Sequence, residues 1–530
     1  MEACYTYYRQ LREEMSRWVS QSVWMDIPGP NRGGEDEANY VLAWFPHYLV
    51  TADERVAAHF RSLLADLANW VKTDGLHGYK PEAEAHHGTE PFLLFLPRYL
   101  GLFPEDETAK KLLEDAAHHI GNWIEGIPPW YDYEKDCFRS YHIGTRVVGQ
   151  DPRFAYELAE HFRFVHIALA AYRVSGDERY LEWALRYGRR RAQRILDASD
   201  GPMPLLWDTD GNGLRESDLT TPEQRRMAAS AHHLPNDPLA GIENLLASGA
   251  MYALGDLFLL SGEELFQQAA RKIATPLVRT LLDPYGDPGA AAVGYYRWTF
   301  EDDSLDKQIG DVLRKMPTES DAQLAMVFPQ EHRRWEPGVG KRSDMVYWGR
   351  WSEEGSVRPI QEPCTAALTL AYHMTGEVAF ARQALKSAAT KLTMARRVLR
   401  GGREHADMGG AICSVAAGHG RNWGQGAVTG CYGPLLLGTR EIQSRVTPLI
   451  EVKDHKGNGR LPKEILSLVI PPIARTGEVL FFNGSEIPVT FSWRKSSAKE
   501  AHRWMPIALA PHETKRFSML IPSGDSKKSA

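Results

Sequence analysis

Cysteine is scarce in this 530-residue sequence, which has five, at positions 4, 137, 364, 413 and 431. Cysteines this few and this scattered cannot form the disulfide framework of a small secreted domain. The amino-terminal segment also lacks the basic stretch and the apolar run that together make a secretory signal. From both absences we expect reduced thiols and a cytoplasmic location.

The sequence also lacks long apolar runs and an excess of charge of one sign. No uninterrupted apolar run approaches the roughly 20 residues that cross a bilayer, so we expect no membrane partner. The 62 basic and 68 acidic residues are well mixed and leave a net charge of -6. Because there is no basic stripe, we expect no nucleic-acid partner either. No feature of the sequence indicates an oligomeric state.

Strand signals are few before residue 445, and a helical pattern repeats instead. An apolar stretch, a short turn with an acidic residue and a second, amphipathic stretch recur six times. The acidic residues at these turns are Asp53, Glu105, Asp177, Glu263, Asp302 and Glu377. An apolar first helix and an amphipathic second helix are typical of inner and outer layers. The sequence therefore predicts a mainly α fold over residues 1–444, an (α/α)6-type toroid of helical hairpins.

The pattern changes at about residue 445. Apolar and polar residues alternate in five stretches, from TPLIEVKD to KRFSMLIP, and turn signals such as NGSE separate them. This alternation predicts a small antiparallel, β-sandwich-like domain over residues 445–522. Residues 523–530 are predicted to form a disordered tail.

Four long insertions interrupt the helical repeats, at about 127–151, 198–237, 282–292 and 315–358. They are rich in proline, glycine, tryptophan, aspartate and arginine. Loops of this length in a compact domain usually carry function. Each precedes a predicted inner helix, so we expect all four on one face of the ring, around an active-site mouth.

A helical ring followed by a small β-domain resembles the six-hairpin toroid enzymes of carbohydrate metabolism. These include glycoside hydrolases, polysaccharide lyases and sugar epimerases, and the resemblance covers most of the chain. It implies an oligosaccharide substrate but does not choose the reaction.

One short stretch is similar to the zinc-thiolate β-L-arabinofuranosidases. Glu362 and Cys364 open a predicted inner helix, and Cys431 follows in TGCYGP. In that family a Glu-x-Cys pair and later cysteines bind zinc. A tetrahedral zinc site needs four well-placed ligands, and Cys413 and Cys431 barely complete the set. We therefore do not expect zinc at Cys364 and Cys431, and buried, packed cysteines are the preferred interpretation.

Acidic residues, histidines and one tyrosine cluster where the predicted inner helices begin. A glycosidase needs two carboxyl groups flanking the bond, whereas a uronate lyase needs a base such as tyrosine or histidine. The densest cluster, PEAEAHHGTE at 81–90, has crowding of the kind that shifts pKa values. For the acids, helix capping is the competing interpretation. The candidate catalytic residues are Asp36, Glu37, His87, Glu90, Tyr141, His142, Asp237, Glu243 and Glu362.

Aromatic and polar residues in the insertions and Gly-rich stretches are candidates for substrate binding. Sugar rings have apolar faces that stack on aromatic side chains, and arginine neutralises a uronate carboxylate. Packing of the loops onto the core is the alternative interpretation. The candidates are Trp130, Arg146, Trp207, His233, Tyr296, Arg297, Trp348, His419, Asn422 and Trp423.

The stretch DTDGNGLRESDL matches the first half of a calcium loop through Asp208, Asp210 and Asn212. In such loops alternate oxygens face the ion. The twelfth position is Leu219 instead of the usual glutamate, so a plain Asp/Gly turn is the alternative. No other cofactor is predicted.

Taken together, these features predict a cytoplasmic carbohydrate-active enzyme that cleaves glycosidic bonds in oligosaccharides. Hydrolysis by paired carboxylates is the first hypothesis. The close alternative is β-elimination on a uronic acid, with Tyr141 or His142 as base and Arg146 or Arg297 on the carboxylate. A sugar epimerase and a non-catalytic sugar-binding protein are further alternatives.

Overall fold

The structure is a computed structural model, and most of it is helical. It describes residues 1–23, 42–80, 83–84, 89, 91–120, 129–145, 151–230, 237–282, 287–316, 324–327, 347–351, 357–359, 365–399, 416, 426–442, 445–473, 476–496 and 503–519. The helices in these ranges are α1 (Glu2–Val23), α2 (Trp44–Thr51), α3 (Glu54–Thr73), α4 (Leu96–Leu102), α5 (Glu107–His118), α6 (Arg163–Ser175), α7 (Glu178–Asp197), α8 (Pro222–Ser230), α9 (Ala240–Ala247), α10 (Ala250–Ser261), α11 (Glu264–Leu277), α12 (Asp287–Thr299), α13 (Asp306–Leu313), α14 (Thr365–Thr375), α15 (Val378–Leu399) and α16 (Tyr432–Leu436).

Strands form a smaller part of the described chain. They are β1 (Ala83–Glu84), β2 (Tyr131–Asp132), β3 (Cys137–Phe138), β4 (His142–Ile143), β5 (Tyr156–Glu157), β6 (Leu206–Asp208), β7 (Gly213–Leu214), β8 (Leu324–Val327), β9 (Tyr347–Trp351), β10 (Val357–Pro359), β11 (Arg440–Ile442), β12 (Arg445–Thr447), β13 (Ile450–Asp454), β14 (Ile465–Ile473), β15 (Thr476–Asn483), β16 (Val489–Lys495), β17 (Met505–Leu509) and β18 (Thr514–Ser518).

All six predicted helical pairs are present, and the turn chemistry explains the repeat. After α6, Gly176 takes a left-handed backbone with φ of 71°, and Asp177 then accepts the Arg179 amide at 3.0 Å. This is a left-handed C-cap followed directly by an acidic N-cap. The turn after α2 repeats it, with Asp53 accepting the Arg55 amide at 3.0 Å.

The acidic residue does not cap the second helix in every turn. In the second pair Asp106, and not Glu105, caps α5, because its Oδ1 accepts the Thr108 amide at 3.0 Å. In the fifth pair Asp302 binds the Ser304 amide and the Tyr296 hydroxyl, while α13 begins four residues later.

The helices pack in two layers. First helices of successive pairs lie side by side, α6 on α10, α10 on α12 and α12 on α14, and the second helices α7 and α11 also pack together. The end of the helical region returns to its beginning, because α15 packs on α1 and α16 packs on α2. One continuous apolar core runs through these helices.

The carboxy-terminal strands form two antiparallel sheets of three strands, in the orders β13-β16-β17 and β14-β15-β18. The five predicted stretches supply β13, β14, β15, β16 and β18, whereas β17 was not predicted. Strand β14 packs on α12, α14 and α16, so sheet and helices share the core. The boundary at residue 445 stays a prediction, and residues 523–530 lie outside the described ranges.

No single helix in the described ranges has the length and apolar composition to cross a bilayer. The bent pair α9–α10 passes the same test only when its two helices are taken together, and they meet at 61°.

A buried histidine makes the stability of this fold depend on pH. His166 on α6 is fully buried, and its Nε2 donates to the Gly249 carbonyl at 2.9 Å. Burial lowers its pKa to about 4, whereas an unfolded histidine titrates near about 6.5. The unfolded chain therefore takes up this proton first as the pH falls. The stabilisation by neutral His166 is complete above about pH 6.5 and is lost towards about pH 4.

We expect urea midpoints to fall as the pH drops from about 7.5 to about 5. In a His166→Gln variant the fall should be shallower, since glutamine keeps a donor for Gly249 but does not titrate. Equal pH dependence of the wild type and the variant would exclude this role for His166.

Candidate functional site

Backbone pairing joins two of the predicted clusters. Strand β1 pairs antiparallel with β4, which sets Glu84 opposite His142. The Thr145 amide donates to the Lys80 carbonyl at 2.9 Å. The segment that enters the acidic cluster at 81–90 and the loop that carries Tyr141 and His142 are therefore neighbours.

A buried carboxylate anchors that loop to α7. Glu157 accepts the Phe138 amide at 2.9 Å and the Tyr187 hydroxyl at 3.0 Å, and it pairs with Arg191 and Arg194. Burial by itself would raise the pKa of Glu157, but the two guanidinium groups outweigh it and hold the pKa below its usual value. The carboxylate therefore stays charged and fixes β5 on the helix.

A groove of about 470 Å³ opens beside this anchored region. One wall is the segment between α7 and β7 with the turn that follows, and the other is the start of α9. A small apolar cluster that includes Tyr141 shares Leu205 and Ala240 with the lining of the groove. The lining residues are Pro202, Met203, Leu205, Arg215, Glu216, Ser217, Asp237, Pro238, Ala240 and Gly241.

Two acidic residues line this groove from separate segments. Asp237 ends the loop before α9, and its Oδ1 accepts the Leu239 amide at 2.9 Å. Glu216 opens the short helical turn after β7, a turn held by the Arg215 amide donating to Asp218 at 2.9 Å. The groove thus combines two acids with apolar walls, an arrangement suited to a ligand that has both hydroxyl groups and apolar faces.

Sequence reasoning found Asp237 but missed Glu216. The spacing of residues 208–219 indicates a calcium loop or a tight turn, and neither interpretation gives Glu216 a role. Its position inside the insertion at 198–237, directly after a turn, was the available signal. In the folded chain Glu216 lines the same groove as the residues at the start of α9.

Gly241 permits a close contact between the two walls of the groove. A Cβ at this position would lie 2.2 Å from the Met203 carbonyl oxygen, a main-chain atom with little freedom to move. The absence of a side chain therefore lets α9 touch the segment that carries Met203.

Replacing Gly241 by alanine should separate these two segments and lower the free energy of unfolding by about 1–3 kcal/mol. The measurement is urea unfolding. The matched control is Gly310→Ala in α13, where nothing lies within 4 Å of the added Cβ. There alanine should be neutral or stabilising by up to about 1 kcal/mol. Equal effects at the two glycines would contradict the contact.

Tyr141 and His142, the predicted lyase bases, have different surroundings. Tyr141 is only 1% exposed and belongs to the apolar cluster that shares residues with the groove lining. His142 is half-buried, and its ring stacks on Phe154 with centroids 5.3 Å apart. Of the two, His142 is the side chain that solvent reaches.

Trp130 and Trp207 were predicted to bind substrate, and the structure corrects this. Each is 1% exposed. The Trp130 indole donates to the Gly144 carbonyl at 2.9 Å, and the Arg191 guanidinium lies 4.5 Å from the Trp207 ring centre. Both side chains pack loops onto the core, which was the alternative interpretation, and neither surface is available to a sugar.

Tyr296 and Arg297 do not line the groove. Tyr296 is fully buried and donates to Asp302. Arg297 borders a separate cavity of about 80 Å³ between α12 and α14, and Asp306 binds it through two contacts of 2.5 and 2.6 Å. Its charge is already neutralised, so the substrate role predicted for it is not supported by its surroundings.

The calcium-like stretch folds as a tight turn between β6 and β7. Asp208 accepts the amides of Asp210 and Asn212 at 3.0 and 2.8 Å, and the Asn212 side chain at 2.9 Å. Asp210 pairs with Lys135 at 2.7 Å. These contacts account for the spacing as an Asp/Gly turn, and calcium binding stays a prediction.

Three further predicted positions lie within the described ranges, and of these Glu243 and Cys431 do not line the groove. Glu243 is half-buried on α9. Cys431 is fully buried, and its thiol donates to the Ala427 carbonyl at 3.2 Å. Trp348 lies on β9, where it pairs with Met326.

The other predicted site residues lie outside the described residues, so their predictions stand as made. They are Asp36, Glu37, His87, Glu90, Arg146, His233, Glu362, Cys364, Cys413, His419, Asn422 and Trp423.

No protein-family model matches the sequence, and no curated protein matches it. Among solved structures, one described as an unsaturated glucuronyl hydrolase specific for heparin is 13% identical. The similarity covers 74% of this chain and 99% of that one, with a TM-score of 0.42. A second, described as UGL with dGlcA-Glc-Rha-Glc, is 14% identical over 60% of this chain and 85% of that one, with a TM-score of 0.40. Scores below 0.5 assign neither fold nor activity to this chain.

Proposed function

We propose that the chain is a carbohydrate-active enzyme that hydrolyses glycosidic bonds in oligosaccharides, with Asp237 and Glu216 as its two carboxyl groups. The observation that supports this is that both acidic residues line one groove and come from separate segments. Glycoside hydrolysis needs one carboxyl to protonate the leaving oxygen and another to activate water or attack the sugar.

The groove also suits a sugar in shape and chemistry. Pro202 and Pro238, two exposed residues of the lining, offer apolar surface for the C–H face of a ring, while the polar groups on both walls can bind hydroxyls. A pocket with mostly apolar walls and a few placed polar groups is the usual form of a small-molecule site.

An (α/α)6 toroid is the scaffold that we propose for this site. The contacts of α15 with α1 and of α16 with α2 support a closed ring. In such a ring the loops that precede the inner helices share one rim, which agrees with the pairing of β1 with β4. A cytoplasmic location remains part of the proposal, with oligosaccharides as the substrates.

Hydrolysis is preferred over β-elimination because two of the four predicted lyase residues are engaged elsewhere. Tyr141 is buried in the apolar cluster that shares Leu205 and Ala240 with the groove, and Arg297 is held by Asp306 in another cavity. Elimination would have to depend on His142 and on Arg146, which lies outside the described residues.

The test is to incubate the purified protein with neutral and uronic-acid oligosaccharides, followed by chromatography and ultraviolet absorbance. Shorter sugars without a new absorbance are expected. Shorter sugars with a rising absorbance would mean elimination, because only a lyase makes an unsaturated sugar. A product of unchanged length would mean an epimerase, and binding without a product would mean a sugar-binding protein. Each of these outcomes overturns the proposal.

A further inference from the structure

Outside the groove, two histidines and one aspartate come together where α3 and α5 end. His77 lies in the turn after α3, and Asp115 and His119 lie one helical turn apart at the end of α5. One possible ligand atom from each residue lies within 4.8 Å of the other two. We propose that these three side chains form a binding site for Zn²⁺ or a similar transition-metal ion.

The distances fit a shared ion. His77 Nδ1 lies 3.1 Å from both oxygens of Asp115, and a ring nitrogen of His119 lies within 4.8 Å of the ligand atoms of the other two residues. In a tetrahedral zinc site with bonds of about 2.0–2.1 Å, neighbouring ligand atoms are about 3.3 Å apart. Two imidazoles with one carboxylate suit zinc and its transition-metal neighbours, whereas calcium and magnesium prefer oxygen ligands alone.

The orientation of His119 also fits a ligand. Its Nδ1 lies 2.7 Å from the main-chain oxygen of Asp115, so Nδ1 carries the proton and Nε2 keeps the lone pair. Histidines that bind metals usually donate their second nitrogen to a carbonyl or carboxylate in this way. The two rings are stacked with centroids 3.3 Å apart, so the His77 ring must turn out of the stack to direct a lone pair at an ion, while His119 keeps its hydrogen bond.

The backbone at His77 is held in a conformation that favours this cluster. Its φ is 54°, in the left-handed region that few residues other than glycine adopt, although asparagine, aspartate and histidine are enriched there. Tyr79, two residues later, donates to the Ala116 carbonyl at 2.5 Å and so fixes the turn on α5. The three side chains remain 27%, 41% and 13% exposed for His77, Asp115 and His119, so an ion can reach them from solvent.

Bound metal would clamp the end of α3 to the end of α5. The Lys80 carbonyl, three residues after His77, accepts the Thr145 amide. A clamp here would therefore also hold the strand pairing of β1 with β4. The ion acts on the scaffold in this scheme, and no reaction step depends on it.

The test is a zinc titration of the chelator-treated full chain against a competing chromophoric chelator. The variants are His77→Asn, which tolerates the left-handed backbone, and Asp115→Asn, which keeps the side-chain shape. The adjacent His118→Gln is the matched control. We expect both site variants to lose one equivalent of zinc or to bind it at least about 10-fold more weakly, while the control matches the wild type.

Thermal unfolding gives a second readout that does not depend on activity. Excess zinc should raise the midpoint of the wild type and of His118→Gln, but not that of His77→Asn. Identical zinc stoichiometry and affinity in the wild type and both site variants would overturn the proposal. So would the absence of any saturable zinc uptake by the wild type, since the three residues would then be a hydrogen-bonded cluster only.

Discussion

Replacing Glu157 by alanine is expected to lower the free energy of unfolding by about 3–5 kcal/mol. Glu157 is 0% exposed, and its partners Arg191 and Arg194 are 1% and 7% exposed. Removing the carboxylate leaves two guanidinium groups with no anion in a region that water does not reach. It also removes the acceptor for the Phe138 amide and the Tyr187 hydroxyl.

The control for this prediction is an exposed ion pair that involves the same helix. Arg189 of α7 pairs with Glu263 at 2.7 Å, but the two side chains are 49% and 31% exposed. Solvent screens such a pair, so Glu263→Ala should cost no more than about 1 kcal/mol. Both values come from urea unfolding. Similar losses for the two variants would show that the buried network does not anchor the loop.

Asp237→Asn and Glu216→Gln are each expected to lower kcat/KM by about 10²–10⁴-fold, the usual contribution of a positioned acid or base. The amide variants keep the shape of the side chain. In Asp237→Asn the side-chain carbonyl can still accept the Leu239 amide, so the fold should persist. Unfolding curves of both variants should therefore match the wild type.

Glu223→Gln is the matched control for activity. Glu223 lies on α8 and pairs with Arg153 at 3.0 Å, away from the groove lining. Its replacement should leave kcat/KM unchanged. Full activity in both Asp237→Asn and Glu216→Gln would show that these two carboxyl groups take no part in the reaction.

The helical pairs were predictable because their signals are local. Apolar spacing and an acidic residue in a short turn are properties of adjacent residues, and Asp53 and Asp177 cap helices as the pattern indicates. The sequence does not show that Asp106, and not Glu105, caps its helix. Both residues are acidic, and the backbone determines which side chain accepts the free amides.

The roles of single side chains depended on contacts between distant segments. A tryptophan in a loop can bind a sugar or pack the loop onto the core. For Trp130, the hydrogen bond from its indole to the Gly144 carbonyl favours packing. Glu216 is a candidate only because it lines the same groove as Asp237, a relation that the sequence does not show. At Asp208 the spacing alone does not choose, because a tight turn and a calcium loop give the same pattern.

The most direct test of the central claim is a proton NMR analysis of an oligosaccharide before and after incubation with the wild type and with Asp237→Asn. We predict new anomeric signals of a reducing sugar with the wild type, no vinyl signals, and almost no change with the variant. Vinyl signals from an unsaturated product, or an equal yield from the variant, would contradict hydrolysis by carboxyl groups in this groove.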